Sequence, residues 1–174
     1  MSTFDRAVAF TLEKEGVLSN DKNDRGGLTK YGIIGPTMRA YQGKTGRLTD
    51  RRIADLTRDE AIAIYRALYW RYDGIANERV AIKLFDYGVN VGLTQAVLFA
   101  QRALLTLGVL VTVDGLYGPA TQAAINEAVT RKGAVVFMNA MLYHAAKFYV
   151  GLVDVNKTQL DFIAGWLSRA VDRP

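Results

Sequence analysis

Apolar residues recur in this chain at the spacing of a helix face almost from end to end, and the alternation of a half-buried strand is sparse. Phe4, Ala7, Val8 and Leu12 make the first such face, which Gly16 can end as a left-handed cap. A capping box at Thr57-Arg58-Asp59-Glu60 opens a second helix that continues through Ala61, Ile64, Tyr65 and Leu68 to near Tyr72. Val80–Val91 reads as a mostly buried helix and Gln95–Leu107 as another. Val113–Pro119 is a turn that places Pro119 at the first position of the next helix. Helices near Ala134–Val150 and Thr158–Val171 close the chain. Strand signal is confined to Leu110–Val113 and parts of residues 17–34. The predicted class is mainly α, about seven helices, with a small β-hairpin or turn-rich element.

That element is expected between Val17 and Gly46, where SNDKNDRGGLTKYG crowds polar residues and glycine together and Gly35-Pro36 follows. A length of 174 residues suits one globule on a prior of ~150 per domain. The best internal boundary is a composition shift near Gly92–Thr94, which carries none of the proline or serine of a linker. It predicts two lobes, residues 1–92 and 93–174, packed as one globule.

Composition narrows the chemistry. Half the residues are apolar and only 3 are proline, which excludes a disordered or collagen-like chain. The longest uncharged stretches, Tyr87–Gln101 and Gly133–Ala146, fall short of the ~20 apolar residues of a membrane span. The N-terminus carries Asp5 and Glu13 and no apolar run, so synthesis in the cytoplasm without a signal peptide is expected. There are 0 cysteines and a single histidine, His144. Thiol nucleophiles, thiolate zinc sites and histidine clusters are therefore excluded, and no metal site is assigned. Any chemistry falls to carboxylates. Lys+Arg 22 against Asp+Glu 17 leaves a net charge of +5. The surplus suits an anionic polymer, but Arg51, Arg52, Arg66, Arg71, Arg131 and Lys132 are scattered, which argues against nucleic acid.

Glu15 is the outstanding carboxylate. At ~100° per residue it points the same way as Phe4, while Glu13 lies on the opposite side. A carboxyl on an apolar face, at the negative end of a helix dipole, is held toward its neutral form, as a general acid requires. The plainer alternative pairs it with a lysine or arginine. Asp24 and Thr29 lie beyond it across Gly26-Gly27, whose freedom permits a sharp turn and a close approach to a ligand. An acid on a helix followed by a loop with a carboxylate and a hydroxyl is one way to build a glycosidase site. Singly, Asp24 also reads as an Asx-turn residue and Thr29 as a strand-edge hydroxyl.

The run from Glu15-Gly16-Val17-Leu18 through Asn20-Asp21-Lys22-Asn23-Asp24-Arg25-Gly26-Gly27 to Thr29-Lys30-Tyr31-Gly32-Ile33 resembles the signature of glycoside hydrolase family 108. These are lysozyme-like N-acetylmuramidases of bacteria and their phages. The likeness extends through Tyr69-Trp70 and Asp86-Tyr87-Gly88-Val89-Asn90-Val91-Gly92. It goes on through Val113-Asp114-Gly115-Leu116-Tyr117-Gly118-Pro119-Ala120-Thr121, which looks like a peptidoglycan-binding segment, to Gly165-Trp166-Leu167-Ser168-Arg169.

The resemblance implies a lysozyme-like fold and hydrolysis of the β-1,4 bond between N-acetylmuramic acid and N-acetylglucosamine, without a cofactor. It implies Glu15 as the catalytic acid, with Asp24 and Thr29 organising the water, and Asn90 as a substrate contact. Val17, Leu18, Lys22 and Ile34 depart from the family pattern, and the stiffer Val17 predicts altered substrate fit. A lytic transglycosylase, or a non-catalytic peptidoglycan-binding or secretion-assisting module, are the alternatives.

Tyr65, Tyr69, Trp70 and Tyr72 cluster at the end of the second long helix. Most aromatics at such spacing are core, and Tyr69 and Trp70 are the candidates for a glycan cleft. Asp86 and Asn90 lie a turn apart in an apolar segment and need partners or a cleft. The expected partner is peptidoglycan, met as a monomer after release from the cytoplasm. Its anionic surroundings would attract the +5 chain over ~8–10 Å.

Overall fold

The computed structural model describes residues 1–15, 18–19, 29–45 and 53–174, with the backbone alone described at Glu15, Leu18, Ser19 and Thr45. The elements are α1 (Thr3–Glu15), β1 (Leu18–Ser19), β2 (Thr29–Lys30), α2 (Gly35–Thr45), α3 (Arg58–Leu68), α4 (Glu78–Val91), α5 (Leu93–Thr106), α6 (Pro119–Lys132), α7 (Ala134–Val155) and α8 (Leu160–Val171). Single turns of 3₁₀ helix stand at Ile53–Asp55 and Lys157–Gln159. The mainly α class holds, with eight α-helices among the described residues rather than seven. Packing divides the chain into two compact units, Met1–Arg71 and Tyr72–Pro174. The division precedes α4, whereas the composition shift comes after it, because α4 packs on α5 and α7.

In the first unit α1 buries Phe4, Ala7, Val8 and Thr11, while Leu12 is half-buried and Glu13 exposed. The capping box forms at α3, with the Thr57 amide donating to Glu60 at 2.8 Å and the Glu60 amide to Thr57 Oγ1 at 3.2 Å. α3 ends at Leu68, short of the expected Tyr72. Leaving the helix there lets Trp70 pack edge-on to Phe4 at 5.4 Å, so tertiary packing overrides local propensity.

α2 lies where the sequence predicted turns. Its two glycines and sparse apolar residues carry little helical signal, yet Pro36 is well suited to a first helical turn. Met38 and Tyr41 are its buried residues, and it packs on α3 with Lys44 Nζ donating to the Ala67 carbonyl. A helix this weak by itself is sustained by packing.

β1 and β2 pair antiparallel with Leu18 opposite Lys30 and Ser19 opposite Thr29. Leu110–Val113, the other strand candidate, is not a strand.

In the second unit every residue of α4 from Val80 to Gly88 is buried, the mark of a central helix. α5, α7 and α8 surround the core, with α6 packed on α5 and α7. α7 runs to Val155, five residues beyond its expected end.

Candidate active site

α1 ends at Glu15, the position singled out for an acid. The Glu15 side chain and all of Asp24 lie outside the described residues. Thr29 is described: it opens β2, is half-buried, and stands opposite Ser19. Antiparallel pairing thus carries Thr29 back to a point four residues along the chain from Glu15.

The Lys30-Tyr31-Gly32-Ile33 motif next to Thr29 is a tight turn. The amide of Ile33 donates to the Lys30 carbonyl at 2.9 Å and the amide of Lys30 to the Ile33 carbonyl at 3.2 Å. Tyr31 and Gly32 both have positive φ, 52° and 72°. Two left-handed residues between a bonded pair make a type I′ turn, whose twist suits a hairpin and whose second position favours glycine. Tyr31 has a side chain in a region glycine tolerates better, so something must hold it. That holder is Tyr65, fully buried, whose hydroxyl donates to the Tyr31 carbonyl at 2.7 Å. Lys30 Nζ donates to the Ala54 carbonyl at 2.7 Å, fastening β2 to the 3₁₀ turn. Sequence reasoning read Tyr65 as one of an aromatic cluster and missed this role; a phenol that must find a partner when buried was the available signal.

The other cluster members separate. Trp70 is only 8% exposed, packed on Phe4 with the Arg66 guanidinium 6.0 Å from its ring centroid. It is a core residue rather than a platform in an open cleft. Tyr69 is half-buried and meets Tyr65 edge-on at 5.7 Å.

In the second unit, Asp86 is a structural anion. It is fully buried and accepts from Arg169 Nη2 at 3.0 Å and from Lys83 Nζ at 3.3 Å. Lys83 Nζ also donates to the carbonyls of Arg169 and Asp172 at 2.8 and 2.9 Å, which ties the end of α8 to α4. Asn90, a turn further along α4, is half-buried, and its Oδ1 accepts from the Tyr149 hydroxyl at 2.6 Å. His144 meets Thr106 Oγ1 at 2.8 Å, and burial, with Arg102 and Lys147 adding to it, holds its pKa below the usual histidine value.

The Val113–Pro119 turn is organised by Gln101, a residue with no motif around it to draw notice in the sequence. Gln101 is 1% exposed. Its Oε1 accepts from the amides of Gly115 and Asp114 at 2.8 and 3.1 Å. Its Nε2 donates to Asp114 Oδ1 at 2.8 Å. Asp114 closes an Asx turn by accepting the Leu116 amide at 2.8 Å, and the Leu116 and Gln101 bonds hold its pKa low. Gly115 has φ 73°, and a Cβ there would come within 2.6 Å of the Thr94 side chain. Among the described residues no group of three or more His, Asp or Glu is placed to hold a metal ion, and no helix is long and apolar enough to cross a membrane.

Residues 8–92 match the model described as glycosyl hydrolase 108. The chain carries a glycosyl hydrolase 108 domain. Residues 95–171 match a second model, the predicted peptidoglycan domain. The glycosyl hydrolase 108 match spans most of α1, the ladder and α4, and so includes Glu15, Asp24, Thr29, Tyr69, Trp70 and Asn90. The predicted peptidoglycan domain spans most of α5 and all of α6 to α8. Among solved structures, that of Brucella abortus SagA is similar, with 26% identity, a TM-score of 0.72, and coverage of 97% of this chain and 94% of that one. No curated protein matches the chain.

Proposed function

We propose that this glycosyl hydrolase 108 domain cleaves the β-1,4 bond between N-acetylmuramic acid and N-acetylglucosamine in peptidoglycan. The observation that carries the reading is that the family match over residues 8–92 contains a helix whose last residue is Glu15. In this reading Glu15 protonates the leaving glycosidic oxygen as the bond from the anomeric carbon breaks. Water, oriented by Asp24 and Thr29, then adds to that carbon and gives up its proton to the Asp24 carboxylate, and exchange with solvent restores the acid form of Glu15. A carboxyl at the negative end of α1 is biased toward the neutral form that such an acid needs. Proton and water supply the whole reaction, so no cofactor is called for.

Tyr69 and Asn90 are the proposed substrate contacts, and Trp70 serves the core by packing on Phe4. The basic surplus and the predicted peptidoglycan domain both support the anionic wall as the partner. The test is the turbidity of purified cell walls treated with the parent chain and with Glu15→Gln. Clearing by the parent and none by the variant is expected, with reducing muropeptide ends in mass spectrometry. Equal clearing by both would overturn the assignment of Glu15, and anhydro ends alone would overturn hydrolysis.

A further inference from the structure

Two sequence motifs meet in the second unit. Asp86 and Asn90 are a turn apart on α4, Trp166 and Arg169 a turn apart on α8, and the Asp86–Arg169 ion pair fastens one helix to the other. Beside that buried fastening is a groove of about 200 Å³ lined by Asn90, Val91, Phe148, Tyr149, Leu152 and Trp166. Most small-molecule pockets are ~300–1,000 Å³, so this one has room for a single small group or ring rather than a chain.

Its polar side chains are Asn90, Tyr149 and Trp166. The Tyr149 hydroxyl is held protonated by burial, which pushes its pKa up, and it donates to Asn90 Oδ1. This fixes the Asn90 carboxamide so that its amino end is the one left over. Trp166 stacks on Tyr149 at 5.5 Å and on Phe162 at 6.0 Å, which fixes its indole. Neither Asn90 Nδ2 nor Trp166 Nε1 has a hydrogen-bond partner among the described residues, and neither is buried, so both offer hydrogens to solvent.

The remaining lining is Val91, Phe148 and Leu152, and no lining side chain is charged. A carboxylate entering such a place would lose hydration without gaining a counter-ion. A neutral carbonyl with a methyl group beside it suits N–H donors of this kind and an apolar wall.

We propose that this groove binds the acetamido group of an N-acetylhexosamine. The choice of sugar rests on the peptidoglycan reading above; the acetamido chemistry rests on the donors and the wall. The probe is chitotetraose, with cellotetraose, which has the same linkage and hydroxyls in place of acetamido groups, as its control. Both are titrated into the full chain carrying Glu15→Gln, so that turnover does not consume them. Chitotetraose is expected to shift the NMR resonances of the Trp166 indole N–H and the Asn90 carboxamide, and cellotetraose to leave them still.

Asn90→Asp keeps an oxygen for Tyr149 but removes the donors, and Trp166→Phe keeps an aromatic ring without the N–H. Each is expected to weaken chitotetraose about tenfold, the size of one lost hydrogen bond. Unmoved resonances in the presence of chitotetraose, or equal shifts from cellotetraose, overturn the proposal. So do variants that melt like the parent and bind as tightly.

The two readings fail separately. A chain that clears walls while both resonances stay still keeps its hydrolysis and loses the groove. A chain whose resonances move, but whose Glu15→Gln form clears walls as the parent does, keeps the groove and loses the acid.

Discussion

The hairpin turn at Lys30–Ile33 and the loop at Val113–Pro119 are both motif-bearing, and both put glycine at positive φ. They are held very differently. The first is closed by its own backbone bonds and fastened by single contacts, Tyr65 on the Tyr31 carbonyl and Lys30 on the Ala54 carbonyl, and the Thr29 beside it is half-buried. The second is held by a network: Gln101 of α5, Asp114 in the loop and Thr121 of α6 take up one another's polar groups. A motif whose polar atoms bond mainly to each other stabilises a fold.

The largest expected effect breaks the comparison on the catalytic side. Glu15→Gln should lower wall hydrolysis by about 10²–10⁴-fold, the usual contribution of a general acid, while the melting temperature stays near the parent's. A variant that unfolded instead would place Glu15 with the structural groups.

The opposite result is expected at Gln101→Ala. It leaves the amides of Asp114 and Gly115 without their acceptor, which should cost about 2–3 kcal/mol in denaturant unfolding. Initial hydrolysis rates measured well below the melting point should change little.

Tyr65→Phe is a finer probe. Loss of its bond to the Tyr31 carbonyl should cost about 1 kcal/mol, read from the urea midpoint, because one neutral hydrogen bond is removed from a buried ring. A much larger loss would mean that the turn depends on that phenol for more than its hydrogen bond.

The smallest effect is in pH. The folded state lowers the pKa of Asp114, chiefly through the Leu116 amide and then Gln101. Its contribution is therefore complete above the unfolded aspartate value of ~3.9 and fades as the pH falls through the lower folded value. His144 is also lowered, by burial first, so its share is present above ~6.5 and fades as acid charges it. Denaturant midpoints between pH 8 and 3 should show a shallow decline near neutrality, removed by His144→Gln, and a second in acid, removed by Asp114→Asn.

Most helices were legible because burial of one face imposes a 3.6-residue period on the sequence. α1, α3, α4, α5, α7 and α8 left that mark, α6 was announced by Pro119 alone, and the capping box at Thr57–Glu60 marked the start of α3. α2 left none, since its stability comes from what Met38 and Tyr41 touch rather than from its own residues. The end of α3 was misread for a similar reason: Trp70 leaves the helix to reach Phe4, far away in sequence. Asp86 announced a need for partners but not their identity.

Sequence by itself thus determined the helical class, the absence of cysteine and of histidine clusters, and the helix that ends at Glu15. Local periodicity and the inventory of functional groups were enough for these. Only the tertiary structure decided which polar residues satisfy one another, as Gln101 does with Asp114 and Arg169 with Asp86, and which, like Asn90 and Trp166, keep a hydrogen to offer. Hydrogen bonds pair residues by distance in space, and a chain's order does not contain that distance.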